Sequence, residues 1–181
     1  MKGGVQMANA VLLKGFLDRE KIYAAVRDIS LCLTMGEQEV ILVIDSDGGN
    51  ISPAVDFISF MEKSEKHGLS RLGVKIYNAK SMAALIAIAV TLPEYREMSE
   101  KTILEFHRGT LQLEASDFDL KTGQISPEIL EQFVTYNDIL RASLGSRISD
   151  NQKLMAEFYA SNWLRLSAER CLELGLVGKI F

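Results

Sequence analysis

The sequence predicts an α/β fold, a parallel sheet with flanking helices and a helical extension. Three observations predict it. Four short apolar runs, residues 10–16 (AVLLKGF), 40–44 (VILVI), 74–77 (VKIY) and 102–107 (TILEFH), alternate with stretches whose apolar residues recur at helical spacing. The second run is apolar without a break, the pattern of a parallel strand covered on both faces. The order strand–helix–strand, three times over, calls for right-handed crossovers within one sheet.

Each element has its own warrant. After the first strand, residues 18–33 carry Ile22, Ala25, Val26, Ile29 and Leu33 on one helical stripe, and Gly36 supplies a stop. Residues 45–50 (DSDGGN) read as a turn after the second strand. Ser52 reads as the N-cap of the next helix, with Pro53 at its first position, where the missing N–H is not needed. That helix is expected to reach about Lys66, with Gly68 closing it. Residues 81–92 read as a very apolar helix between the third and fourth strands. Residues 110–124 are polar and irregular. Ser126-Pro127-Glu128 opens a long helix towards Leu144, with Gly145 as its stop. Residues 151–159 read as another helix, 167–174 as a short one closed by Gly175, and 176–181 as a final strand. No linker or repeat divides the chain, so residues 1–181 are expected to form a single domain.

Composition narrows the function classes. With 181 residues, 48% of them apolar, the chain can bury a real core, and disorder as the main state is excluded. A net charge of −4 argues against general nucleic-acid or anionic-membrane binding. The longest apolar run, residues 82–92, is too short to span a bilayer, and residues 1–8 have no apolar core of a secretory signal. Cys32 and Cys171, far apart and unaccompanied, fit buried thiols in a reducing compartment, so a cytoplasmic location is expected.

Ligands of open parallel sheets bind beyond the carboxyl ends of the strands. Gly48-Gly49, Ser81 and His107 stand at three such ends and are expected to converge. Ser81 starts a helix, where free N–H groups and the helix dipole favour a developing negative charge; it reads as a nucleophile or as a plain N-cap. Lys80 beside it reads as a surface residue. Of only two histidines, His67 sits where a helix C-terminus explains it, and His107 is the candidate general base or a packed strand residue. Gly48-Gly49 is either a tight turn or an oxyanion hole, since glycine lets backbone N–H groups approach a carbonyl. There is no dinucleotide or Walker A loop and no zinc spacing, and Asp45 and Asp47 lack the calcium-loop pattern. No cofactor and no metal are expected.

Five segments in order resemble the proteolytic subunit of the Clp protease, over about residues 11–180. Residues 40–51 (VILVIDSDGGNI) are similar to that family's strand and Ser-Pro-Gly-Gly turn, with Asp47 in the proline place. Residues 78–84 (NAKSMAA) resemble its nucleophile segment Ala-Ala-Ser-Met-Gly, with Lys80 and Ala83 as departures. Residues 103–107 resemble the strand that delivers its histidine. Residues 166–169 (LSAE) and 173–177 (ELGLV) resemble its C-terminal Leu-Ser-Ala-Glu-Glu and Glu-Tyr-Gly-Leu-Val.

The resemblance implies a crotonase-like fold of the Clp type and a serine peptidase. Ser81 would be the nucleophile and His107 its base, with Gly48, Gly49 and Met82 forming the oxyanion hole. It also implies an extended peptide or unfolded-protein substrate, laid beside the Gly-Gly segment and the segment after His107. It implies a homo-oligomer, a heptameric ring first among the choices, and an ATP-driven unfoldase as partner. Val55, Ile58, Phe60, Met61, Phe133, Ile139 and Leu140 are candidates for contacts between copies.

Three departures bear on activity. The family's aspartate should precede the Leu-Ser-Ala segment, but residues 161–165 are SNWLR. An ungapped match puts Trp163 in its place, with Asn162 one residue away as the nearest polar candidate for a third catalytic residue. Asp138 and Asp150 are remoter carboxylates. Few residues precede the first strand to dock an unfoldase, and residues 108–126 lack the family's glycine pair. The rival expectations are a catalytically weak or silent structural subunit and a crotonase-type acyl-CoA-binding enzyme.

Overall fold

A computed structural model of the chain describes residues 9–37, 39–66, 69, 71–107, 124–148 and 151–181. His67, Gly68, Asp150 and most of the irregular stretch after His107 lie outside the described residues. The elements run β1 (Asn9–Leu17), α1 (Arg19–Thr34), β2 (Glu39–Gly49), α2 (Ile51–Lys66), β3 (Arg71–Lys80), α3 (Met82–Ala89), β4 (Arg96–Met98), β5 (Ile103–His107), α4 (Pro127–Ile148), α5 (Gln152–Ser161), β6 (Trp163–Ser167), α6 (Ala168–Glu173) and β7 (Lys179–Ile180). The chain is thus mixed α/β with a seven-stranded, mostly parallel sheet. Among the described residues only the β5–β6 pair is antiparallel.

The sheet is ordered β1-β2-β3-β4-β7, and it forks at β3. The first half of β3 pairs with β4, through Val74↔Arg96 to Ile76↔Met98. Its last residues change partner and pair with β5, through Ala79↔Leu104 and Lys80↔Glu105. β6 then adds to the far side of β5. The fork carries the end of β3 away from the main sheet and towards the strand that ends in His107.

Packing explains the strands. Val11 and Leu13 of β1, Val40, Leu42 and Ile44 of β2, and Leu72, Val74 and Ile76 of β3 alternate onto one buried face. α3 lies behind it, every residue from Met82 to Ile88 buried, because it is apolar all round. On the opposite face Ile41 and Val43 are half-buried, and Leu12, Tyr77, Ile103 and Phe181 are exposed. The expectation that β2 is covered on both faces therefore holds for one face only among the described residues.

Further expectations are corrected, the Gly145 stop among them, since α4 runs on to Ile148. The turn at residues 45–50 is the end of β2, because Gly48 and Gly49 stay paired with Phe16 and Leu17 of β1. A register shift after Ile44 admits this without breaking the ladder to β3. α2 accordingly starts at Ile51, and Ser52 lies in its first turn rather than at the cap. Residues 163–167 form a strand that propensity alone did not suggest, held by five pairings to β5. Of the residues expected to contact other copies, Ile58, Met61 and Leu140 are inside the core of this chain. Val55, Phe60, Phe133 and Ile139 are half-buried. Among the described residues no helix is long and apolar enough to cross a membrane.

Candidate active site

The β3–α3 junction is the sharpest feature of the backbone. Ser81 has φ 53° and ψ −123°, outside the left-handed helical region, a conformation that residues with a Cβ rarely take. Its side chain makes no capping hydrogen bond to α3, which removes the plain N-cap explanation. Two contacts hold the turn. The Ser81 N–H donates to the Glu105 carbonyl at 2.7 Å, and the Ser81 carbonyl accepts from Leu85 N–H at 3.1 Å, inside α3. Burial of Met82 at the next position anchors the helix start. A non-glycine residue kept at positive φ on a strand-to-helix turn costs of order 1–3 kcal/mol, and such strain is concentrated at functional sites.

Gly48 packs directly against this turn. A Cβ on it would lie 2.8 Å from both the Lys80 carbonyl oxygen and Ser81 Cβ, and 3.3 Å from the Met82 nitrogen. Gly48 also has φ +105°. Its own N–H donates to Ser46 Oγ at 3.0 Å, and Ser46 Oγ donates in turn to the Gly15 carbonyl at 2.5 Å. Ser46 is fully buried and ties the glycine segment to β1. Of the three residues expected in the oxyanion hole, Gly48 therefore serves as the gap and directs its amide inward. The Met82 amide, in the first turn of α3 where no intrahelical acceptor exists, lies 3.3 Å from where a Cβ on Gly48 would stand. Gly49 is pressed against Leu17, where a Cβ would collide with its backbone.

His107 ends β5, half-buried. Its carbonyl accepts a hydrogen bond from the Tyr136 hydroxyl at 2.6 Å, so the long helix α4 braces the strand end. Tyr136 is fully buried, and burial pushes its phenol up to about 12, keeping it a donor. Ser81 is bonded to the backbone of Glu105, two residues before His107 on β5, so the serine turn is tied to the strand that ends in the histidine.

The β5–β6 register pairs His107 with Trp163. Their rings are 4.7 Å apart between centroids and tilted by 47°. Asn162 lies one residue outside that ladder, exposed, with φ 60° at the C-terminal end of α5. Asparagine tolerates this left-handed conformation, and closing the helix accounts for it there. Asp138 is on the exposed side of α4 and pairs with Arg141 at 3.7 Å.

Two features were not legible beforehand. Lys80 and Asp47, both departures from the resembled pattern, pair with each other at 2.7 Å, and Asn78 Nδ2 donates to the same carboxylate oxygen at 3.0 Å. Hydrogen bonding from Lys80, then from Asn78, holds the Asp47 carboxyl below its ordinary range, and the same pair raises Lys80. The pair clasps the ends of β2 and β3 beside Ser81. Glu105 likewise pairs with Arg165 across the strands at 2.5 Å. Charge complementarity between the two departures was the signal available in the sequence. Asp45 turns to Lys14 instead, at 3.5 Å. Among the described residues, no cluster of three metal-ligating side chains occurs.

Compared with models of known protein families and with curated proteins, the chain matches none.

Proposed function

We propose that the chain is a serine peptidase of the Clp type, acting through an acyl-enzyme on Ser81. The observation that carries this reading is the strained Ser81 turn, whose side chain is not used as a cap and whose neighbour Gly48 has no Cβ to crowd the Met82 amide. Ser81 Oγ would attack the substrate carbonyl carbon while His107 takes the hydroxyl proton. The oxyanion so formed would meet the Met82 N–H at the positive end of α3, with Gly49 as the second backbone donor. Collapse would break the C–N bond, and His107 would return the proton to the leaving amine. Water, deprotonated by the same histidine, would then release the acyl group.

The rest of the reading follows the resemblance: a crotonase-like fold, a cytoplasmic location, a peptide or unfolded-protein substrate, and a homo-oligomer of ring type with an ATP-driven unfoldase. The apolar residues exposed on the open sheet face support an assembly of copies. Asn162 is the weaker choice for a third residue, since closing α5 accounts for its conformation. Trp163 beside His107 in place of a carboxylate favours a slow enzyme, and the silent subunit is the second reading for the same reason.

A fluorophosphonate probe tests the reading. Ser81 should be labelled, and His107→Ala should abolish labelling. Labelling of a different serine, with Ser81 unreactive, would overturn it.

A further inference from the structure

We propose that Trp163 is the positioning residue for His107, doing with an aromatic face part of what a carboxylate does elsewhere. The inference rests on the serine-peptidase reading above. Three observations carry it. The antiparallel register sets Trp163 directly across from His107, so the contact is built into five strand pairings rather than into a loop. The two rings are in contact, at 4.7 Å and 47°. Tyr136 fixes the backbone of His107 through its carbonyl, so the strand end that presents the imidazole to Trp163 is held from α4 as well. An indole lying against the ring restricts rotation of the imidazole.

The indole also has an electronic effect. When His107 takes the Ser81 proton it becomes a cation against the electron-rich face of Trp163, a favourable arrangement. The Arg165 guanidinium lies 5.9 Å from the same ring, but it is already paired with Glu105. Lys80, at the end of β3, is paired with Asp47. The ionisable groups on the strands beside β5 are thus balanced in pairs. A π face supplies less stabilisation to an imidazolium than a carboxylate does. The arrangement therefore suits a slow acyl transfer rather than none.

Trp163 is the only tryptophan in the chain, which makes the contact observable. At one fixed pH, the indole emission of the chain should change in His107→Gln, which takes the imidazole away from the ring. The labelling rate of Ser81 by a fluorophosphonate should fall by about 10-fold to 100-fold in Trp163→Ala, the loss expected when a reacting group is misplaced by about 1 Å. Trp163→Phe, which keeps a ring, should recover the rate to within about threefold of the parent. Circular dichroism of each variant confirms that the fold is retained. Ser81 labelling that is unchanged in Trp163→Ala overturns the positioning role and leaves the peptidase reading standing. Emission that is identical in His107→Gln and the parent also overturns it. No labelling of the parent protein overturns the peptidase reading itself, and the positioning role with it.

Discussion

Adding one methyl group at Gly48 is the most informative perturbation of this fold. Gly48→Ala meets two separate obstacles. Its φ of +105° is strained for any L residue, and its Cβ would sit 2.8 Å from the Lys80 carbonyl oxygen and from Ser81 Cβ. Neither neighbour is the free end of a flexible side chain. Lys80 is the last residue of β3, and Ser81 is held through its N–H by Glu105. The conformational cost is about 1–2 kcal/mol. Overpacking against rigid neighbours adds about 1–3 kcal/mol. A total near 3 kcal/mol lowers the melting temperature by about 6–12 °C for a domain of this size. Gly36→Ala is the control, since Gly36 also has positive φ (81°) but nothing lies within 4 Å of its Cβ. It should lose only the conformational part, about 1–2 kcal/mol or roughly 2–8 °C. Thermal unfolding followed by circular dichroism measures both. At 20 °C, with both variants folded, Gly48→Ala should also lose Ser81 labelling, because its methyl lies against the Met82 amide and the Ser81 turn. The reasoning fails if Gly48→Ala matches Gly36→Ala in melting temperature and keeps the parent labelling rate.

Two further outcomes follow from strain and burial. Ser81→Gly should stabilise the protein by about 1 kcal/mol, because glycine takes the φ of 53° without strain, while probe labelling is lost; a lower melting temperature for this variant would show that Ser81 is not strained. Burial raises both Tyr136 and Cys171 to about 12, from 10.0 and 9.0. A raised folded-state value means that the stability is present below the unfolded value and is lost as pH rises through the folded one. Stability should therefore decline between about pH 9 and 12, with Tyr136 accounting for about 3 kcal/mol from its shift of two units. Urea unfolding at pH 8 and pH 11 measures the part lost by pH 11, to which Tyr136 contributes about 1.4 kcal/mol for the one unit above 10.0, and Tyr136→Phe should make the decline shallower by that amount; an equal decline in that variant would exclude Tyr136 as a source.

Residue order alone determined the fold class and most of the elements. The unbroken VILVI run, the stripe from Ile22 to Ile29 and the apolar stretch after Ser81 specify strands and helices because burial demands those patterns. They also bring Gly48, Ser81 and His107 to strand ends, since consecutive parallel strands leave their carboxyl ends on one side. Three matters depended on contacts between distant residues. β2 continues through Gly49 only because β1 pairs with it, which no local turn propensity reveals. Residues 163–167 are a strand because β5 offers an edge, and that register sets Trp163 across from His107. The strain at Ser81 arises because Glu105 holds its N–H while buried Met82 starts the helix, two demands from opposite sides of one residue. Local sequence sets what each segment prefers, whereas register, partner and strain are set by which segments compete for the same backbone hydrogen bonds and the same buried space.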